Sequence, residues 1–467
     1  VVSVLLGPEG FGVMSALQAS INLIQGAVGL GIENSAVRDI AKARSSETND
    51  ALAVTVKTQR TLVWFTGLAG MVLTALFAPQ ISQITFDSTS YTWELRLLSI
   101  SVFLNIIKSG QYALLQGLRR IKAIAMLSIL GALVAALISV PIFYWLRMDG
   151  VALYLIVLSI TQLLISWLYA REVKLVNVRL SFKQLSSESK GMIRLGVAFM
   201  GGSFVTLAST YLIKILIIDR LGIEAVGIYQ AAFVISGLFI NSLLTAMGKD
   251  FYPRLTSVAF DKEKETQLIN EQIELSVVLA APGLLLTIAL APYIIPALYT
   301  GEFLQAVEVL RWITLGFFLR LFSWPLGYCF IARSKTRLFF IIQVVTNSLL
   351  LALSFILITY FGLEGIGMSY AFLYVFHVIF MSSLVIYYTG FKWSLANLKS
   401  MFFYSILFGL STWLLMKYEG VSSVFAVCVL CFWFLYRALR RVSNIMDLKS
   451  FRDFREYFFQ VIKKTNR

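Results

Sequence analysis

Apolar residues in this chain do not alternate with polar ones. They run on for about twenty positions at a time. Such runs lie at approximately 11–36, 61–78, 93–118, 123–146, 151–170, 195–218, 225–248, 272–296, 305–332, 338–361, 365–389, 400–417 and 421–437, each near the ~20 residues that carry a helix across a bilayer. A short apolar stub before Gly7 makes a fourteenth span once residues preceding Val1 complete it. Only helices that satisfy their own backbone polar groups, or closed barrels, can cross lipid, so runs of this length predict an all-α integral membrane protein. Fourteen transmembrane helices are expected, the first of them truncated here.

A second pattern is superposed on the first. The heptapeptide LGPEGFG, Leu6 to Gly12, returns as LGIEAVG, Leu221 to Gly227, an offset of 215. At the same offset Leu95-Arg96 becomes Leu310-Arg311, Phe103-Leu104 becomes Phe318-Leu319, and Asp149-Gly150-Val151 becomes Glu364-Gly365-Ile366. Only Ala78-Pro79 and Ala291-Pro292 depart from it, at 213, as an insertion in an exposed loop would produce. An even number of spans separates the copies, so the halves run parallel across the membrane, as in carriers whose path lies between two bundles. The expected organisation is an N-terminal six-helix bundle over 1–190, its repeat over 191–390, two further transmembrane helices over 391–437 and a basic amphipathic cytoplasmic tail over 438–467. The first copy should begin about twenty residues before Val1.

Composition agrees: 58% hydrophobic, 14% charged, with a mean hydropathy of +0.79. A soluble domain of this size could not bury that much apolar surface. The net charge of +15 is mostly topology. Arg38 to Arg60, Arg119 to Lys122, Arg171 to Arg194, Lys249 to Lys264, Arg333 to Arg337, Lys392 with Lys399, and the tail all fall on one side, which is therefore cytoplasmic, whereas Arg147, Arg220 and Lys417 lie opposite. Nucleic-acid binding is not needed to explain the basicity. Cys428-x-x-Cys431 lies in an apolar run and reads as packing rather than as a metal or redox pair. No cofactor motif is present, and without a G-x-x-x-x-G-K-[ST] run there is no P-loop for ATP.

Three stretches resemble a known family: LGPEGFG leading to GLGIENSAVRDIAKA, then GIYQAAFVISG continuing to YPRLTSVAFDKEK, and GYCFIARSKTRLFFIIQ. They are similar to the Wzx-type polysaccharide flippases of the multidrug/oligosaccharidyl-lipid/polysaccharide (MOP) exporter superfamily, over nearly the whole chain. The resemblance implies a bacterial inner-membrane flippase, not an enzyme. Its substrate would be an undecaprenyl-pyrophosphate-linked oligosaccharide, such as an O-antigen repeat unit in lipopolysaccharide biosynthesis, moved from the cytoplasmic to the periplasmic leaflet. It would work beside polysaccharide polymerase machinery and contact membrane lipids.

Five cations remain inside apolar spans once topology is subtracted: Arg96, Lys108, Lys214, Arg311 and Arg320. The acids sit at helix ends, so these cations are expected to lack carboxylate partners. A charge at the bilayer centre costs at least ~2.5–3.5 kcal/mol, so several of one sign point to a water-filled cavity that meets an anion, as pyrophosphate is. Arg96, Arg311 and Lys214 lie near span ends, where snorkelling to headgroups competes with that role. Lys108 and Arg320 are mid-span. The offset pairs Asn105 with Arg320 and Lys108 with Ser323, both at i, i+3 on one helical face, and these residues complete the expected substrate-binding set. Gly110 maps onto Pro325, so both helices carry a hinge candidate just beyond the pair. His377, equivalent to Gln162, reads as an interhelical hydrogen-bonder. Gln18, Asn22 and Gln25 place amides that either line a sugar path or join helices. A cation-coupled multidrug exporter, marked by an intramembrane carboxylate, and a peptidoglycan-precursor flippase are the alternatives. A membrane glycosyltransferase would need catalytic carboxylates and long periplasmic loops, and the connections on that side are short.

Overall fold

The computed structural model describes residues 2–44, 49–173, 175–176, 178, 180–418 and 420–445. Of the basic tail expected over 438–467, residues 446–467 lie outside the described residues. The protein is all-α. Among the described residues fourteen α-helices follow one another: α1 Val2–Val28, α2 Ile32–Arg44, α3 Asn49–Leu76, α4 Ala78–Phe86, α5 Thr92–Gly117, α6 Ile121–Leu146, α7 Gly150–Ala170, α8 Phe182–Leu221, α9 Ile223–Val258, α10 Lys262–Leu298, α11 Ala306–Ala332, α12 Thr336–Thr389, α13 Leu395–Lys417 and α14 Val421–Ile445.

Among the described residues nine helices are long and apolar enough to cross a membrane, or ten with the bent pair α3 and α4 taken as one span. Two of these stretches, Ile121–Ala170 and Thr336–Thr389, are 50 and 54 residues long, more than twice a bilayer crossing. Each breaks near its middle, at Arg147–Asp149 and at Gly362. These breaks fall between the runs 123–146 and 151–170 and between the runs 338–361 and 365–389, and the shorter apolar helix Ser422–Phe434 lies in the last run. This is a multi-pass membrane protein.

Packing divides the chain into two compact units. The first holds residues 1–230 with 298–303 and 340–363. Its core is built around α5, whose Leu95, Leu98, Val102 and Ile106 are 0–4% exposed and pack with Leu17 and Ile21 of α1, Ile32, Ala36 and Ile40 of α2, and Val63 of α3. On α6 only Ala123, Gly131, Ser139 and Phe143 are buried, a narrow and mostly small stripe, while Leu137 is 72% and Trp145 77% exposed. With no hydrophobic drive between helices in lipid, small residues let backbones approach and large ones face the acyl chains. In the second unit α10 and α11 form the core, with Phe408 of α13 stacked on Phe318 at 4.0 Å. The thiol of Cys431 donates to the carbonyl oxygen of Pro282 at 3.0 Å.

Contacts group α8 with α1 and α2, so packing and ancestry divide the chain at different places. The duplication survives instead in backbone geometry. Gly7 (φ 64, ψ −171) recurs as Gly222 (φ 88, ψ 173), Arg119 (φ 55) as Ser334 (φ 56), and Arg147 (φ 47, ψ −126) as Gly362 (φ 57, ψ −137), each at 215. The last pair is unequal in cost. At Gly362 the residue fits a conformation nearly closed to side chains, whereas Arg147 holds it with a Cβ, at about 1–3 kcal/mol of strain. Arg147→Gly is therefore expected to raise the thermal melting temperature of the detergent-solubilised protein and Gly362→Ala to lower it. Equal melting of all three proteins would show that the turn relaxes freely.

Candidate functional site

The two heptapeptides meet. Within the first unit a methyl group on Gly12 would strike the carbonyl oxygen of Ile223, and one on Gly227 would strike that of Pro8. Ile223 is the counterpart of Pro8, and Gly227 that of Gly12, so the contact is one interaction exchanged between copies. One turn along α1, Ser15 Oγ donates to its own counterpart, Gln230 Oε1, at 3.0 Å. Lys214 closes the cluster: its Nζ donates to Ser15 Oγ at 2.7 Å and to the Ser15 carbonyl oxygen at 3.0 Å. Lys214 is 6% exposed, so its ammonium belongs to this buried junction.

Lys108 has a different setting. It is half-buried in α5, donates to Gln162 Oε1 of α7 at 2.7 Å, and lines a cavity of about 620 Å³ with Gln25, Glu33, Asn105, Tyr112 and Gln162. Asn105 donates to Ser159 Oγ at 3.1 Å. A second cavity of about 300 Å³ shares Gln25, Glu33, Asn105 and Ser109 with the first and adds Asn22. Gln18 donates to Asn22 Oδ1 at 2.9 Å, while Gln25 keeps a buried amide nitrogen without a partner. These polar groups are set into walls that also carry the apolar side chains of Leu127, Ala132 and Ala135.

The expected absence of carboxylates needs correcting twice. Glu33, in the first turn of α2, lines the cavity beside Lys108, close enough for the two charges to interact. The chain breaks at Gly29–Gly31 before α2 begins, and Glu33, in the first turn after that break, lines the cavity. Arg311 is 2% exposed and forms an ion pair with Glu308, one turn earlier on α11, at 2.5 Å. It is a paired charge, whereas its counterpart Arg96 is exposed on α5.

In the second unit Arg320 is half-buried. Its Nη1 donates to Asn241 Oδ1 at 3.2 Å and its guanidinium lies 5.9 Å from the Phe317 ring centroid. Ser323, expected to line a cavity, is instead fully buried and bonded to His377 Nδ1 at 2.8 Å. That bond repeats Lys108–Gln162 position for position, and His377 is the interhelical hydrogen-bonder expected. The hinge candidates lie inside unbroken helices: α5 runs through Gly110 and α11 through Pro325. A methyl on Gly110 would meet the side chains of Gln59 and Val63, so this glycine serves close packing of α5 on α3. Sequence reasoning missed Glu33 and Asn241 as partners. The spacing of 54 shared by Lys108–Gln162 and Ser323–His377 was the signal available for the crossing pairs.

A duplicated helical carrier with a charged, amide-lined cavity defines a membrane transporter, and solved structures agree on the fold. The chain resembles an inward-facing multidrug resistance MATE family transporter of the MOP superfamily, with a TM-score of 0.67 and 14% identity over 82% of this chain and 94% of that one. It also resembles the lipid II flippase MurJ in an inward closed conformation, with a TM-score of 0.66 and 11% identity over 93% and 97%. Residues 1–259 match the family described as polysaccharide biosynthesis protein, and the chain belongs to that family. Among curated relatives, a Shigella flexneri protein named as a candidate O-antigen transporter is 21% identical over 78% of this chain and 87% of its own. The lipid III flippase of Escherichia coli (strain K12) is 22% identical over 80% and 89%. These relatives are transporters and flippases rather than enzymes.

The junction yields a stability test. A buried donor that loses its hydrogen-bond acceptor costs about 1–3 kcal/mol, and more when it is charged, whereas an apolar side chain of similar size has no hydrogen bond to lose. Ser15→Ala should therefore lower the melting temperature more than Lys214→Met, and adding Lys214→Met to Ser15→Ala should restore much of the loss. A double variant that melts below Ser15→Ala would refute this account.

Proposed function

We propose that the protein flips an undecaprenyl-pyrophosphate-linked oligosaccharide, an O-antigen or similar surface-polysaccharide unit, from the cytoplasmic to the periplasmic leaflet of a bacterial inner membrane. The observation that carries this reading is Lys108: a cation deep in a span, oriented by Gln162 and lining a polar cavity of about 620 Å³. Arg320 supplies a second mid-span cation in the other unit, its fork held by Asn241. Cations of this kind stabilise a pyrophosphate in a low-dielectric setting, and the polyprenyl tail stays in lipid throughout. No bond is made or broken. The two bundles alternate access to the leaflets, and a negative interior favours outward movement of the headgroup by ~2.3 kcal/mol per charge per 100 mV. The family match and the flippase relatives support this substrate class. Polysaccharide polymerase machinery would take up the product.

Glu33 supports a second reading, a cation-coupled drug exporter, because a cavity carboxylate is the group a cationic drug needs. The two readings predict opposite effects of one change. If the headgroup is an anion, Glu33→Gln removes a competitor for Lys108 and tightens binding of undecaprenyl pyrophosphate to the purified protein. If the cargo is a cation, the same variant loses export of a cationic dye and leaves the pyrophosphate without measurable affinity.

In cells that depend on this protein for surface polysaccharide, Lys108→Ala and Arg320→Ala should abolish the polymer while protein level and insertion stay normal. Arg320→Lys should keep part of the activity, because the charge persists and the bidentate fork is lost. Wild-type polysaccharide in both alanine variants would show that these cations serve structure alone.

A further inference from the structure

The duplication allows one face of the molecule to be compared with its own relative. On α5 the positions Asn105 and Ser109 line both cavities of the first unit. Their counterparts on α11, 215 residues later, are Arg320 and Trp324, and one more turn brings Tyr328 where α5 has the buried Ala113. The face that is small and polar in one copy carries a guanidinium and two large aromatic rings in the other, at i, i+4 and i+8 along a single stripe.

The rings are not simply core. Phe251 beneath them is fully buried, at 6.1 Å from Trp324 and 5.7 Å from Tyr328 between centroids, while Trp324 and Tyr328 themselves are half-buried. Their centroids are 5.1 Å apart, and Tyr252 stands 6.1 Å from Tyr328 on the outer side and is 39% exposed. Gly248 of α9 makes the space: a methyl there would lie 3.4 Å from Trp324 Cζ2 and 3.3 Å from Tyr328 Cζ. At the head of the stripe Arg320 is bonded to Asn241, whose side chain is exposed.

An aromatic wall rimmed by a guanidinium and a carboxamide fits one chemistry well. A pyranose ring offers a face of polarised C–H bonds, which the electron-rich face of an aromatic ring attracts, and a rim of hydroxyls that Arg and Asn can bond. Lipid tails have no use for the rim groups, and an inorganic anion has none for the rings. Resting on the flippase reading above, we propose that the Arg320–Trp324–Tyr328 stripe of α11 is a carbohydrate subsite, taking the sugar nearest the pyrophosphate against Trp324 and Tyr328 while Arg320 and Asn241 hold its hydroxyl rim. The first unit, with Asn105 and Ser109 at the equivalent place, offers no such wall. The carrier is thus symmetric in frame and asymmetric in lining.

The test compares two probes on purified protein in nanodiscs: undecaprenyl pyrophosphate alone, and the same lipid carrying one N-acetylhexosamine. Wild-type protein should bind the sugar-bearing probe about tenfold more tightly, the scale of one good ring contact. Trp324→Ala and Tyr328→Ala should each remove most of that difference and leave binding of the bare lipid unchanged, whereas Trp324→Phe should keep part of it. Asn241→Ala, at an exposed position, should reduce the difference without altering the melting temperature. Equal wild-type affinity for both probes would overturn the subsite while leaving the flippase reading intact. An equal loss on both probes in Trp324→Ala and Trp324→Phe would assign the rings to structure and overturn it too. Failure of the wild type to bind either probe would sink the flippase reading, and the subsite with it.

Discussion

Everything in the first unit turns on how closely α1 and the start of α9 approach. Gly12 and Gly227 admit no side chain, because each Cα faces a backbone carbonyl of the other copy. In lipid, contact of this kind replaces the hydrophobic drive that water would supply, and Cα–H to carbonyl contacts add to it. The heptapeptide is repeated because both halves of one interface must be made of it. Gly7, at the kink inside α1, and Gly222, just before α9, both hold positive φ and set the angle at which each approaching segment enters. Gly31 and Gly196 repeat the device between α2 and α8, where a methyl on either would meet the backbone of the other segment. Small residues therefore hold α8 among the helices of the first copy, which is why packing and ancestry divide the chain differently.

Once backbones are this close, polar side chains between them must be satisfied locally. Lys214 shows the extreme case, an ammonium answered by one serine and a carbonyl, with Gln230 accepting from the same hydroxyl. Arg311 takes the other course and pairs with Glu308 in its own helix. The buried Glu265 takes both Nε and Nη2 of Arg333, joining α10 to the end of α11. Each of these charges is consumed by structure. Lys108 and Arg320 differ in setting: both are half-buried and donate to neutral amides, Gln162 and Asn241, while the Glu33 carboxylate shares the cavity with Lys108. An amide orients a cation without neutralising it, so Arg320 keeps its attraction for an anion, and that of Lys108 is set against the nearby Glu33.

How much of this was legible follows from what a one-dimensional pattern records. Run length gives depth along the membrane normal, so most of the helices could be placed from sequence, and the positive φ angles at Gly7 and Gly222 recur at the same offset as the sequence repeat. Pattern says little about azimuth. Lys214, Ser323 and Lys108 are all apolar-span positions, yet one is locked in a junction, one is sealed against His377 and one faces a cavity. Which outcome applies depends on the neighbouring helix, and in a span apolar on every side no amphipathic stripe announces it. Glu33 was misplaced for the opposite reason. Its depth was assigned on a continuous helix, and the chain breaks at Gly29–Gly31 just before it.

The two copies also show what a duplicated frame leaves free. Lys108–Gln162 and Ser323–His377 are the same bond between the same two helices, one presenting a charge to a cavity and the other closed off from solvent. Where α11 gives up its cation at one position it gains one at Arg320, a turn away, where α5 has Asn105. In the register of the repeat the two cations are offset by i, i+3, so the duplication kept the helical face that carries a charge and not the position of the charge.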